Sequence, residues 1–229
     1  MVEIERSHWS IVLLGSFNPA IFHPAWFELH GVISKDVASA AEVNVVHNEI
    51  SNMTLGDIVV TAEVGKFQVA TSNAPEIRLL DFISVVFGDV LPHSKVRSFG
   101  VNKSTHFRAI SAERRIEMGR RLAPLHPWGA FGERLAASEG DELGGMMSLR
   151  MREILNDEDS SGHLEVRIEP SNALDRRTGI FVAVNRHFDL KDDGETVGAK
   201  AAVSKLDQSF VASLEKADEI INHFAEMAS

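Results

Sequence analysis

The stretch Asp57–Thr71, DIVVTAEVGKFQVAT, is the one on which the fold turns. Ile58, Val60, Ala62 and Val64 fall on one face of an extended chain, because successive side chains of a strand point to opposite sides. Gly65-Lys66 fits a two-residue hairpin turn, and Phe67–Thr71 then runs back. Strands joined this tightly are antiparallel, since a parallel pair needs a crossover of a dozen or more residues. The spacing therefore predicts an α+β fold with mostly antiparallel sheet, not a doubly wound one.

Working outward, Trp9–Leu14 is short, apolar and strand-like, and Pro24–Ile33 suits a helix with proline in its first turn. Val43–His47 is a further candidate strand. From Pro75 to about Val90, the residues Leu79, Leu80, Ile83, Val86, Phe87 and Val90 make a helical stripe. Val96–Phe107 is expected to be a strand. Ser111 can cap a helix that runs to Ala123 and stops at Pro124. Leu125–Gly145 lacks a clear period and is expected to be a long loop with room for one helical turn. Met147, Leu149 and Met151 alternate with Ser148, Arg150 and Arg152. After a turn at 156–162, Leu164, Val166 and Ile168 alternate with Glu165, Arg167 and Glu169. The uniformly apolar Ile180–Val184 suits the middle of a sheet. Asp189–Gly194 reads as a polar loop. Val203, Leu206, Phe210, Leu214, Ala217, Ile221 and Phe224 then mark one helix over about Ala199–Ala228. The element order is β-α-β-β-β-α twice, which divides the chain near Pro92 into halves 1–91 and 92–229, separate or intimately packed.

Composition excludes several classes. Of 229 residues, none is cysteine and none is tyrosine, which rules out disulfides, thiolate chemistry and any tyrosine acid, base or radical. No cysteine and no basic-then-apolar leader in MVEIERSHW fit a cytoplasmic setting. No apolar run reaches the roughly 18 residues of a membrane span. A net charge of −10 argues against a protein that coats nucleic acid or anionic membrane over its whole surface.

The string GSFNPAIFHPAWFEL, Gly15–Leu29, lies between a buried strand and a helix, a common place for a phosphate. GSFNP resembles the opening motif of the nicotinamide-nucleotide adenylyltransferases. That resemblance implies a nucleotide-handling enzyme using Ser16, Asn18, His23 and Arg114. His23 sits one residue early for that motif, and Ser111-Ala112-Glu113-Arg114 lacks the threonine of the later signature. The chain also resembles a group of uncharacterised bacterial proteins with a G-x-F-N-P turn and an I-x-x-P-x-W-F segment. They share stretches near Phe99–Asn102, His106-Phe107 and Val184–Phe188. That resemblance makes Phe17, Pro19, Phe22, Pro24, Trp26 and Phe27 an aromatic plug between the first helix and the sheet.

Charge and the final helix supply the remaining signals. Lys95–Arg121 carries eight basic residues against two acidic ones, a segment of +6 on a chain whose remainder is −16. Arg108, Arg114, Arg115, Arg120 and Arg121 are its candidate ligand or partner contacts. The ten histidines show no metal-ligand spacing, although His106 and His187 on neighbouring strands, with Asp189, would form a group if they met. A helix of roughly 30 residues is about 45 Å long. If it outruns its sheet, Ile220, Ile221, Phe224 and Met227 must meet another chain. No catalytic constellation, metal site or cofactor motif emerges. The expectation is a protein-binding or assembly module without catalytic activity, homo-oligomeric or with a protein partner. The alternatives are the nucleotidyltransferase-type enzyme and a nucleic-acid-associated factor using 95–121.

Overall fold

The computed structural model describes residues 2–138, 143–157, 160–190 and 197–229. Its strands are β1 (Ile4–Ser16), β2 (Glu42–Val46), β3 (Ile50–Leu55), β4 (Ile58–Glu63), β5 (Lys66–Thr71), β6 (Lys95–Arg108), β7 (Leu149–Asp157), β8 (Ser160–Pro170), β9 (Gly179–Asp189) and β10 (Val197–Gly198). They form one sheet in the order β2-β3-β4-β5-β1-β6-β9-β8-β7, with the short β10 on β6. Every pairing is antiparallel. The α+β class expected from the alternation is the observed one. The helices are α1 (Pro24–Leu29), α2 (Lys35–Ser39), α3 (Ile77–Ile83, continued by π-helical turns to Val90), α4 (Ala112–Leu122), α5 (Gly129–Ala137) and α6 (Ala199–Met227).

Several local readings change, and the strands take up most of the expected 156–162 turn, since β7 runs to Asp157 and β8 starts at Ser160. The hairpin closes on the pair Glu63↔Lys66, so its turn is Val64-Gly65, one residue earlier than expected. The shift has a cause: the Val64 and Gly65 carbonyls accept the Phe17 and Gly15 amides at 2.9 and 3.1 Å. The turn thereby anchors the chain leaving β1. Ile50–Leu55 is a strand that the apolar pattern conceals. Its inward residues are Ser51, Met53 and Leu55, and the buried Ser51 hydroxyl donates to the Pro19 carbonyl at 2.6 Å. A satisfied hydroxyl stands where an apolar side chain would have signalled burial. Within the expected loop 125–145, Gly129–Ala137 is helical.

Helices α1–α4 and α6 pack on one face of the sheet over two apolar clusters. The first gathers Ile11 and Leu13 of β1, Val60 and Ala62 of β4, Phe67 and Val69 of β5, Phe99 and Val101 of β6, and the inner faces of α1 and α3. Here Phe17, Phe22, Phe67 and Phe87 interlock, with the edge-to-face pairs Phe67–Phe87 and Phe22–Phe67 at centroid distances of 4.8 and 5.0 Å, and Phe27 stacks on Phe22 at 5.9 Å. Such pairs add about 0.5–1.5 kcal/mol each beyond the area they bury. The second cluster joins Phe107, Leu164, Ile168, Ile180, Val182 and Val184 to Met118 of α4. α6 lies across both: Ala202, Leu206, Phe210 and Leu214 enter the first cluster, and Ala217, Ile221 and Ala225 the second. α6 runs along β6, from the Ala199 amide, which donates to the Ser94 carbonyl, to the Ala228 carbonyl, which accepts the Ile110 amide. The 14 residues of β6 at about 3.3 Å each are roughly as long as the helix. The helix therefore does not outrun its sheet, and Ile221 is fully buried within the chain.

Close approach fixes one glycine. A Cβ on Gly15 would sit 2.0 Å from the Lys95 carbonyl oxygen where β1 meets β6, whereas one on Gly65 would meet nothing within 4 Å. Gly15→Ala is expected to destabilise the protein by about 1–3 kcal/mol. Gly65→Ala is expected to be neutral or mildly stabilising, by up to about 1 kcal/mol, through the unfolded chain. Urea denaturation of the two variants checks the pair.

Candidate functional site

The GSFNP turn is used locally. The Asn18 side chain accepts the Ala20 amide at 3.2 Å and caps the 3-10 turn Pro19–Ile21. His23 Nδ1 accepts the Trp26 amide at 3.2 Å and caps α1. Ser16 is exposed at the end of β1. Phe22, Trp26 and Phe27 pack as the expected plug, with Phe22–Trp26 centroids 5.4 Å apart. Arg114 does not join this turn. It donates to the Ser229 carbonyl at 2.8 Å and pairs with Glu117 at 2.9 Å.

The basic segment is likewise dispersed. Lys103 lies on the helix-bearing face, pairs with Asp218 of α6 and stands 5.4 Å over the Trp9 ring. Arg108 pairs with Glu5. Arg115 is buried, and its Nη1 donates to the Arg177 carbonyl at 3.4 Å. Arg120 donates to the Ala136 carbonyl at 3.4 Å, and Arg121 is exposed. The fold thus spreads the positive charge of 95–121 over a strand and a helix and commits much of it internally. No single patch forms from it.

Two other surfaces stand out. The first surrounds β7. Its outer edge pairs with no strand among the described residues, so its backbone groups face outward. A groove of about 700 Å³ runs beside it between Leu149, Met151, Val166 and Ile168 of the sheet and Ile220, His223 and Phe224 of α6. A second, of about 620 Å³, continues from Leu149 past Leu125, Trp128, Phe131, Leu135 and Met147. Met151 is 67% exposed and Trp128 60%. Of the four expected interface residues, Ile220 and Phe224 line the first groove, Met227 packs half-buried on the second core, and Ile221 is core. The opposite edge, β2, differs: it has five residues and a register shift between Val43 and Val45. Shortness and bulges are how natural sheets blunt a free edge. β7 is nine residues long and evenly paired.

The second surface is the sheet face that carries no described helix. Register lines its side chains in transverse rows. One row is Ser10, Asn102, Asn185, Glu165 and Arg152 across β1, β6, β9, β8 and β7. Asn185 donates to Asn102, and Asn102 to the Ser10 hydroxyl at 3.2 Å. Arg152 donates to Glu165 at 2.6 Å and holds its carboxyl below the usual range. In the next row His163 faces His187 with rings stacked at 4.7 Å, and His187 Nε2 lies 3.2 Å from Asp189 Oδ1. His106 does not meet His187. It pairs with Phe181, six residues along β9 and about 20 Å away. Among the described residues no group of three or more His, Asp or Glu is placed to hold a metal. The carboxylates at 192–195 lie outside the described residues. No described helix is long and apolar enough to cross a membrane.

No family model matches this chain, and a search of curated proteins returned no match.

The histidines of the uncovered face give a pH signature. Burial lowers His8, His106 and His163, with Arg6 adding to His106 and Arg152 to His163. A histidine held low in the folded state is neutral there, and the unfolded chain binds its proton first. Stability is thus fully present above the unfolded value of about 6.5 and falls as pH drops toward the lowered folded values. Melting temperatures measured from about pH 7.5 down to 5 should decline. The decline should be shallower in a His106→Gln, His163→Gln double variant.

Proposed function

We propose that this chain is a protein-binding or assembly module whose binding site is the free edge of β7 with the two apolar grooves beside it. The observation that carries this reading is the contrast between the sheet's edges: β2 is short and bulged, while β7 is long, regular and bordered by exposed Met147, Met151, Trp128 and Phe131. An extended partner segment added to β7 would complete its hydrogen-bonding edge. Its alternate side chains would enter the groove between Met151 and Phe224. Trp, Phe and Met are the residue types enriched at interface cores, and methionine adapts to varied shapes. The partner is a second copy of the chain or another protein. The basic segment lends a nucleic-acid reading no support, because Lys103, Arg108 and Arg114 are engaged by Asp218, Glu5 and Glu117.

The lack of cysteine makes a clean test possible. Met151→Cys carrying an environment-sensitive fluorophore should shift to the blue as protein concentration rises, or on addition of extended peptides of alternating apolar sequence. The same label at Asn48→Cys, in the turn beside β2, should stay unchanged. Phe224→Ala should weaken the response about tenfold, the size of a groove-wall contact worth roughly 1–2 kcal/mol. An emission at Met151→Cys that ignores both concentration and peptides removes this reading.

A further inference from the structure

On the uncovered face, the opposite side of β7 and β8 from the grooves, two arginines stand side by side. The β7–β8 register sets Arg150 directly opposite Arg167. Like charges directly opposite in an antiparallel pair repel. Each has a loose carboxylate: Arg150 Nε lies 3.5 Å from Glu165, and Arg167 Nη1 lies 3.6 Å from Glu169, with the Arg167 guanidinium also 5.3 Å over the Phe181 ring. The other Glu165 oxygen is held by Arg152. Three guanidiniums thus face two carboxylates, on a chain of net charge −10. The same row continues from Arg167 to Ala183 and Ser104. The Ala183 methyl is too short to fill the space between Phe181 and Asn185, its neighbours on that face. A hollow of about 400 Å³ results, with Arg150, Arg167, Asn102, Asn185 and Ser104 around it.

We propose that this hollow binds an oxyanion carried by a small polar molecule, seated over Ala183 within reach of Arg167 and, beyond it, Arg150. A phosphate or carboxylate there turns the repulsion of two guanidiniums into two charge-assisted contacts, and the planar fork of arginine matches oxyanion geometry. Ser104 and the Asn102–Asn185 pair offer neutral hydrogen bonds to the rest of the molecule. Glu165 repels negative charge on the Arg152 side, which confines the anion to the Ser104 side. The site uses the face of β7 opposite the grooves.

The test titrates the full chain at low ionic strength with inorganic phosphate and, separately, with acetate. It follows the arginine Nε–H resonances and the melting temperature. Two arginine signals, assigned through Arg150→Gln and Arg167→Gln, should move saturably with at least one anion. Preference for phosphate assigns the group as a phosphate ester, and preference for acetate as a carboxylate. Without anion, Arg150→Gln should melt higher than the parent, because the like-charge pair is gone, whereas Arg167→Gln also loses its contact with the Phe181 ring. Each should also bind the preferred anion at least about tenfold more weakly. Ala183→Leu keeps both charges but fills the hollow, and should lose the saturable shift while retaining its fold by circular dichroism. Arg121→Gln, an exposed charge control, should change nothing. Shifts that never saturate, undiminished binding in Ala183→Leu, or an equal loss in Arg121→Gln would each overturn the proposal.

Discussion

The pairing of β1 with β6 joins two antiparallel meanders into one sheet, and the rest of the architecture follows from that seam. It runs from Ile4↔Phe107 to Ser16↔Lys95. On one side β5, β4, β3 and β2 step away from β1; on the other β9, β8 and β7 step away from β6. Because the seam makes one continuous surface, a single helix of 29 residues can lie across both clusters. The Lys103–Asp218 pair ties that helix to the seam near its middle, with Trp9 beneath the ammonium group. The Cβ-free approach at Gly15 lets the two strands meet where β1 ends.

The seam also divides the chemistry of the sheet by side. Between the register shifts at its two ends, odd-numbered positions of β1 and β6, such as Ile11, Leu13, Phe99 and Val101, face the helices and build the core. Even-numbered ones, such as Ser10 and Asn102, build a polar surface in which hydrogen bonds run crosswise from strand to strand. A single-residue slip at the seam would exchange the two faces. The apolar core and the ordered polar rows therefore both oppose any other register.

Much of the fold was legible because it rests on period. The hairpin around Gly65, the alternation of 164–169 and the stripe from Val203 to Phe224 express burial directly, whereas the apolar side of 147–152 expresses an open groove, with Met147 and Met151 exposed. Ile50–Leu55 was hidden because Ser51 is buried through a hydrogen bond to Pro19 instead of through an apolar side chain. α5 was hidden because its flanking Gly and Pro residues resemble loop punctuation. The candidate surfaces were less legible still. Arg150 and Arg152 were recognisable as outward residues, but which residue each would face depends on inter-strand register, a property of two segments at once. The run 95–121 misled for the opposite reason. Its charges are neighbours in sequence, yet a strand and a helix carry them to different places, where Asp218, Glu5 and Glu117 take up three of them.

Placing the seam between segments some ninety residues apart has a temporal consequence. A ribosome releases the chain from its N-terminus, at about 5–20 residues per second. β1 through β5 and α3 emerge as a complete meander while β6 is still unmade. For those seconds the unpaired side of β1 lies bare, with Trp9, Ile11 and Leu13 lacking the cover that Phe99, Val101 and α6 later provide. The nascent half is then a sticky object whose long edge, β1, stands open while β2 closes the other side short and bulged. Its safe passage depends on how quickly Lys95–Arg108 follows, or on a chaperone that shields the edge until it does.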